Sequence, residues 1–161
     1  MLDLNLIKSY INDQNSELIN DELSEYNIKT LNEVISQLSV NEIIYILTSI
    51  PKYISADLFA SFEEEMQDDI FYQIEEKSVS KLLKHLYTDD IVEVLKDIDN
   101  SIVRKILANA SESTRKDITQ ILNYDIDTAG SLMTIEFIEL LANDTFSYAL
   151  DKVKGQGKVT E

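Results

Sequence analysis

Val34-Ile35-Ser36-Gln37-Leu38, Ile46-Leu47-Thr48-Ser49-Ile50 and Leu58-Phe59-Ala60-Ser61-Phe62 repeat one pattern at intervals of twelve residues. The last position of the pattern continues through Ile74, Leu86, Ile98, Ala110 and Leu122, apolar at every step. The first continues through Ile70, Leu82, Val94, Ile106 and Ile118, and the second through Phe71, Leu83, Leu95 and Leu107 before it fails at Thr119. Apolar residues at i, i+1 and i+4 share one face of a helix. A twelve-residue unit leaves room for two to three turns and a short connection. A helix that short is unstable alone and must bury its face against neighbours. Units stacked in chain order predict a superhelical array of short helices, an all-α fold.

The joints carry helix-start signals. Ser39 with Glu42, Thr88 with Asp90 and Ser111 with Thr114 place capping side chains ahead of apolar stretches. Pro51 follows the anchor Ile50, where a helix should stop. Ahead of the repeat, Leu4 and Ile7 to Ile11 predict a first amphipathic helix, residues 12–15 a turn, and residues 17–26 a second helix. After Leu122 the stretch Asn123 to Ser131 is polar and turn-prone. Phe137-Ile138-Glu139-Leu140-Leu141 predicts a short strand, Asn143-Asp144-Thr145 a cap, and Phe146, Ala149, Leu150 and Val153 an amphipathic helix. Gly155-Gln156-Gly157 reads as a flexible end. One strand and one helix cannot bury a core, so this tail reads as part of something larger.

Composition narrows the function. Hydrophobic residues make up 44% and charged residues 27%, with three glycines and one proline, a globular and helix-rich balance. Thirty acidic against 14 basic side chains give a formal charge of −16. Such a surface repels phosphate backbones and anionic headgroups and favours cations or basic surfaces, so no nucleic-acid partner is expected. The absence of cysteine excludes disulfides and thiolate sites, and one histidine leaves no zinc cluster. Gly130 stands apart from the other two glycines, so there is no phosphate loop. No nucleophile constellation is evident, and an enzyme is not expected. No apolar run approaches the ~18 residues of a membrane span, and the start of the chain lacks a secretion signal. The expectation is a cytoplasmic chain with no direct membrane insertion.

Tyr124-Asp125-Ile126-Asp127-Thr128-Ala129-Gly130-Ser131-Leu132-Met133-Thr134 resembles the junction of MgtE magnesium transporters, where a helical N domain passes into a tandem cystathionine-β-synthase (CBS) domain. Leu86-Tyr87-Thr88-Asp89-Asp90-Ile91-Val92-Glu93-Val94-Leu95 is similar to that family's acidic helix, and Ile50-Pro51 with Asp57 matches its Leu-Pro step and downstream acid. The resemblance implies a helical N domain at residues 1–123, a junction at 124–136 and the incomplete start of an α/β CBS domain at 137–161. It implies Mg2+ as the bound ion, with Asp57, Asp89 and Glu93 as ligands and Ser131 supplying a backbone carbonyl. It also implies the chain's own CBS domain and transmembrane pore as partners, a homodimer in the full-length protein, and a place on the cytoplasmic side of the membrane. Glu93 stands where the family motif has Asp, and Ser131 where glycine is common.

On the residues alone, Asp89 and Glu93 lie four apart and project from one side of a helix. Asp97 and Asp99 continue that acidic surface. The same residues also read as helix-start carboxylates and solvated surface. Glu63-Glu64-Glu65 and Asp68-Asp69 read as a solvated helix joint, and His85 as a partly packed imidazole. An alternative function is a helical-repeat scaffold without a metal, as in the related middle region of the flagellar switch protein FliG.

Overall fold

The computed structural model describes residues 2–125, 128–131, 133–135 and 137–156. Among these, regular structure is entirely helical: α1 (Leu4–Asn12), α2 (Ser16–Ser24), α3 (Ile28–Ile35), α4 (Val40–Leu47), α5 (Lys52–Ala60), α6 (Glu64–Gln73), α7 (Glu76–Leu83), α8 (Thr88–Asp97), α9 (Asn100–Asn109), α10 (Glu112–Leu122) and α11 (Phe146–Gln156), with a 3-10 turn at Ala129–Ser131. Helices α3 to α10 begin at residues 28, 40, 52, 64, 76, 88, 100 and 112, twelve apart at every step. The apolar repeat is therefore the repeat of the helices themselves.

The three apolar columns divide their work differently from one shared helical face. The first two columns lie in the latter half of each helix. The third, from Leu38 to Ala110, falls just past each helix end, at the joint, and only Leu122 is still helical. These joint residues are buried from Leu38 through Ala110. The chain must reverse within a few residues without glycine, and a buried side chain just past the helix end anchors each turn, as hydrophobic contacts do at other helix C-termini.

Side chains then satisfy the exposed ends. Ser39 and Glu42 form a capping box at α4, and Ser111 Oγ accepts from the Thr114 N–H at α10. Those Ser39 hydrogen bonds hold the Glu42 carboxyl below its ordinary pKa. At α8 the cap position falls to Tyr87 instead of the expected Thr88. Tyr87 precedes the helix in extended conformation, and Thr88 is its first, buried residue. Pro51 likewise opens α5 rather than closing α4, which ends at Leu47, because a fixed φ suits a helix start. The fully buried Ser55 donates to Leu47 O at 2.8 Å, and Gln67 Nε2 to Phe59 O at 2.9 Å.

The dominant packing in the array is between helices two places apart: α3 on α5, α4 on α6, α6 on α8, α7 on α9, and α8 on α10. A continuous apolar core runs through the stack, with Phe59 and Phe71 fully buried and meeting edge to face at 5.9 Å and 87°. At the start, α1 and α2 pack together and α1 reaches α4.

The tail departs from expectation. Residues 137–141 form no strand, because an extended segment has no ladder without a neighbouring strand to pair with. Phe137 and Leu141 are each 64% exposed and Phe146 is 83% exposed. Helix α11 does form, with Thr145 Oγ1 accepting from the Tyr148 N–H, and it includes Gly155, expected in a flexible end; Gly157 lies outside the described residues. Among the described residues no helix is long and apolar enough to cross a membrane.

Candidate functional site

The starts of α5 and α8 lie near each other, and both helices border one cavity further along. At their starts, Lys52 Nζ sits 5.1 Å from the centroid of the Tyr87 ring, the residue just before α8. Nearer their ends, Ala60 of α5 shares a cavity wall with Glu93 and Val94 of α8. Asp57 is exposed one turn before Ala60 on the same side of α5, and Asp89 is half-buried one turn before Glu93 on α8. One Asp89 carboxylate oxygen, Oδ1, is buried, while Glu93 is exposed.

The junction returns to the same end of the array. The 3-10 turn holding Ser131 packs on α10. Two residues on, Met133 lines a cavity of about 540 Å³ together with Lys52 and with Thr88, which immediately precedes Asp89. Ile126, Asp127 and Leu132 of the junction motif lie outside the described residues. Within it, Tyr124 and Gly130 form a packing pair. A Cβ added at Gly130 would stand 2.5 Å from Tyr124 Cδ1, so only glycine fits beneath the ring.

Acids read as solvated joint residues prove to face α8. Glu64 and Asp68 of α6 line a cavity of about 300 Å³ with Asp90, Glu93 and Asp97 of α8. Glu93 thus belongs to two neighbourhoods, the α8 turn that begins at Asp89 and the α6 cavity with Asp90. This second neighbourhood depends on α6 packing against α8, and no local pattern carries it. Among the described residues no three His, Asp or Glu side chains converge closely enough to hold a metal ion by themselves.

The family model for the MgtE intracellular N domain matches residues 26–127. The chain belongs to this family. The matched span covers α3 to α10, so the MgtE N domain is the repeat array itself. A crystal structure of the soluble part of a magnesium transporter superposes with a TM-score of 0.78 at 24% identity, covering 98% of this chain and 62% of that one. The cytosolic domain of the Mg2+ channel MgtE in complex with ATP superposes with a TM-score of 0.70 at 18% identity, covering 98% of this chain and 65% of that one. At those identities the likeness is one of fold, and this chain spans less than two thirds of either structure. No curated protein matches the sequence.

In this MgtE N domain the one histidine is structural. His85 Nδ1 lies 2.9 Å from Ile50 O, so it carries the proton and donates, tying the α7–α8 joint to the α4–α5 joint. Burial pushes the imidazole below its ordinary pKa, with Lys81 and Lys52 adding to the effect and the bond to Ile50 opposing it.

Proposed function

We propose that this chain is the magnesium-sensing regulatory domain of a magnesium channel or transporter, and that it gates the pore by Mg2+-dependent docking onto a CBS domain. The observation that carries this reading is the α8 surface, where Asp89, with one carboxylate oxygen buried, and Glu93 stand one turn apart, near the cavity that Met133 of the junction lines with Thr88. Membership of the MgtE N-domain family supports it, as does the fold shared with the soluble part of a magnesium transporter.

The donor set fits the ion. Carboxylates and a backbone carbonyl are hard oxygen ligands, and Mg2+ keeps several waters and takes only one or two carboxylates from a protein. One or two of the carboxylates Asp57, Asp89 and Glu93, with the Ser131 carbonyl, would hold the ion, and the remaining positions fall to water and to the docking domain. Docking follows from charge. A face of a chain with formal charge −16 repels another acidic surface across about a Debye length, ~8 Å at physiological salt. A divalent cation in that gap cancels the repulsion and bridges the two sides, so the compact state binds Mg2+ better than the separated one. Rising Mg2+ then shifts the population toward the compact state.

The test is compaction of the complete cytosolic region, followed by small-angle scattering across a Mg2+ titration. Replacing Asp89 by Asn and Glu93 by Gln together should move the compaction midpoint at least about tenfold higher in Mg2+, the loss of two ionic ligands. An unchanged midpoint removes these residues from the site. Absence of any Mg2+-dependent compaction favours a metal-free helical scaffold instead.

A further inference from the structure

Helices α3 and α6 line an open groove with a volume of about 600 Å³. Its floor is apolar. Phe62, just before α6, is buried, and Met66 on α6 is half-buried against the core. Its rim is acidic, with Glu33 from α3 and Glu63, Glu65 and Asp69 from α6 and its start, all four exposed. No lysine or arginine lines it. Among the described residues none of these four carboxylates is in an ion pair. The α3 wall is fixed in place: the Asn32 side-chain amide donates to Ser61 O and, at 3.0 Å, to Ser61 Oγ, tying α3 to the end of α5.

The charge is gathered there against local preference. Glu33 lies in the last turn of α3, where the helix end carries partial negative charge and disfavours a carboxylate. Glu65 and Asp69 are four apart on α6, a like-charge pair that weakens a helix. Glu63 precedes α6 without capping it through its side chain. Solubility asks for surface charge, but any exposed position would serve it. An apolar floor between uncompensated carboxylates is complementary to a helix that carries an apolar residue between lysines or arginines.

We infer that the α3–α6 groove is a docking site for a basic amphipathic helix of a partner protein. An apolar side chain of that helix seats on Phe62 and Met66. Its lysines or arginines, a turn to either side, meet Glu33 on one wall and Glu65 and Asp69 on the other. The apolar contact sets the position, while the charges speed the encounter and reject acidic partners. Asp57, Asp89, Glu93 and Ser131 lie outside this groove, and docking there uses no metal ion, so the inference stands apart from the magnesium reading.

The probe is a synthetic helical peptide with leucines along one face and lysines flanking them, and its control has the same residues scrambled. Binding to this chain is followed by fluorescence anisotropy and by NMR of the Met66 methyl and the Asn32 side-chain amide. The amphipathic peptide should shift both reporters and bind at least about fivefold tighter than the scrambled one, because only it can bury an apolar face. Glu33→Gln with Asp69→Asn should weaken it about threefold to tenfold, the loss of two exposed ion pairs, and added salt should shrink that difference. Met66→Gln should weaken it at least about threefold by making the floor polar. Glu112→Gln with Asp151→Asn, at exposed acids of α10 and α11, makes the same change in net charge elsewhere and should stay within about twofold of the parent. The inference is overturned if the amphipathic peptide does not bind or binds no better than the scrambled one. It is equally overturned if the Glu112 and Asp151 pair costs as much as the Glu33 and Asp69 pair.

Discussion

Replacing Phe59 by Ala tests whether the array is held by the interlocked columns of its repeat. Phe59 is fully buried on α5, two residues after Asp57, and meets the equally buried Phe71 of α6 edge to face at 5.9 Å. Truncating a buried phenylalanine to alanine costs about 3–5 kcal/mol, of which the aromatic pair accounts for about 0.5–1.5 kcal/mol. In a domain of this size each kcal/mol lowers the melting temperature by about 2–4 °C, so Phe59→Ala should melt about 6–20 °C below the parent. Circular dichroism in heat and urea gives the loss. A double-mutant cycle of Phe59→Leu with Phe71→Leu isolates the ring–ring coupling, expected near ~1 kcal/mol. A melting shift below about 3 °C for Phe59→Ala, with the transition otherwise unchanged, would refute the packing on which the position of α5, and hence of Asp57, rests.

Two further predictions address the joints. His85 is held below its ordinary pKa of 6.5 by burial and by Lys81 and Lys52. The unfolded chain therefore takes up the proton first as pH falls, so folding stability should decline from about pH 6.5 downward and His85→Gln should flatten that slope. An NMR titration of the imidazole with a midpoint at or above 6.5 would contradict the burial. Gly130→Ala puts a Cβ into the Tyr124 ring. It should displace that ring, which is exposed and can turn aside, at a cost within about 1 kcal/mol. Unchanged Tyr124 resonances in the variant would dismiss the pairing.

How much of this is legible in the sequence depends on the range of the interaction. The helical repeat is fully legible, because burying one face of each short helix demands apolar residues at a fixed interval, and Ile46, Leu58, Ile70 and Leu82 suffice to reveal it. The role of the third column is not. Leu38, Ile50 and Leu86 obey helical spacing yet serve the joints, since periodicity does not reveal where a helix stops. The same ambiguity affects the cap at Thr88, whose hydroxyl suits an N-cap while the helix takes it as its first residue. The strand expected at residues 137–141 has the right composition, but a strand needs a neighbour, and pairing is not a property of one segment. For the candidate site, the i, i+4 spacing of Asp89 and Glu93 is local and visible. The cavity joining Glu64 and Asp68 to Asp90 and Asp97 and the place of Lys52 over Tyr87 both arise between helices far apart in sequence.

Anomalous diffraction from crystals of the complete cytosolic region, grown with Mn2+ in place of Mg2+, would locate the ion itself. A metal peak is expected within coordination distance of at least two of Asp57, Asp89, Glu93 and the Ser131 carbonyl. A peak confined to the α6–α8 cavity among Asp68, Asp90 and Asp97, or no peak on this domain at all, would overturn the proposed magnesium site.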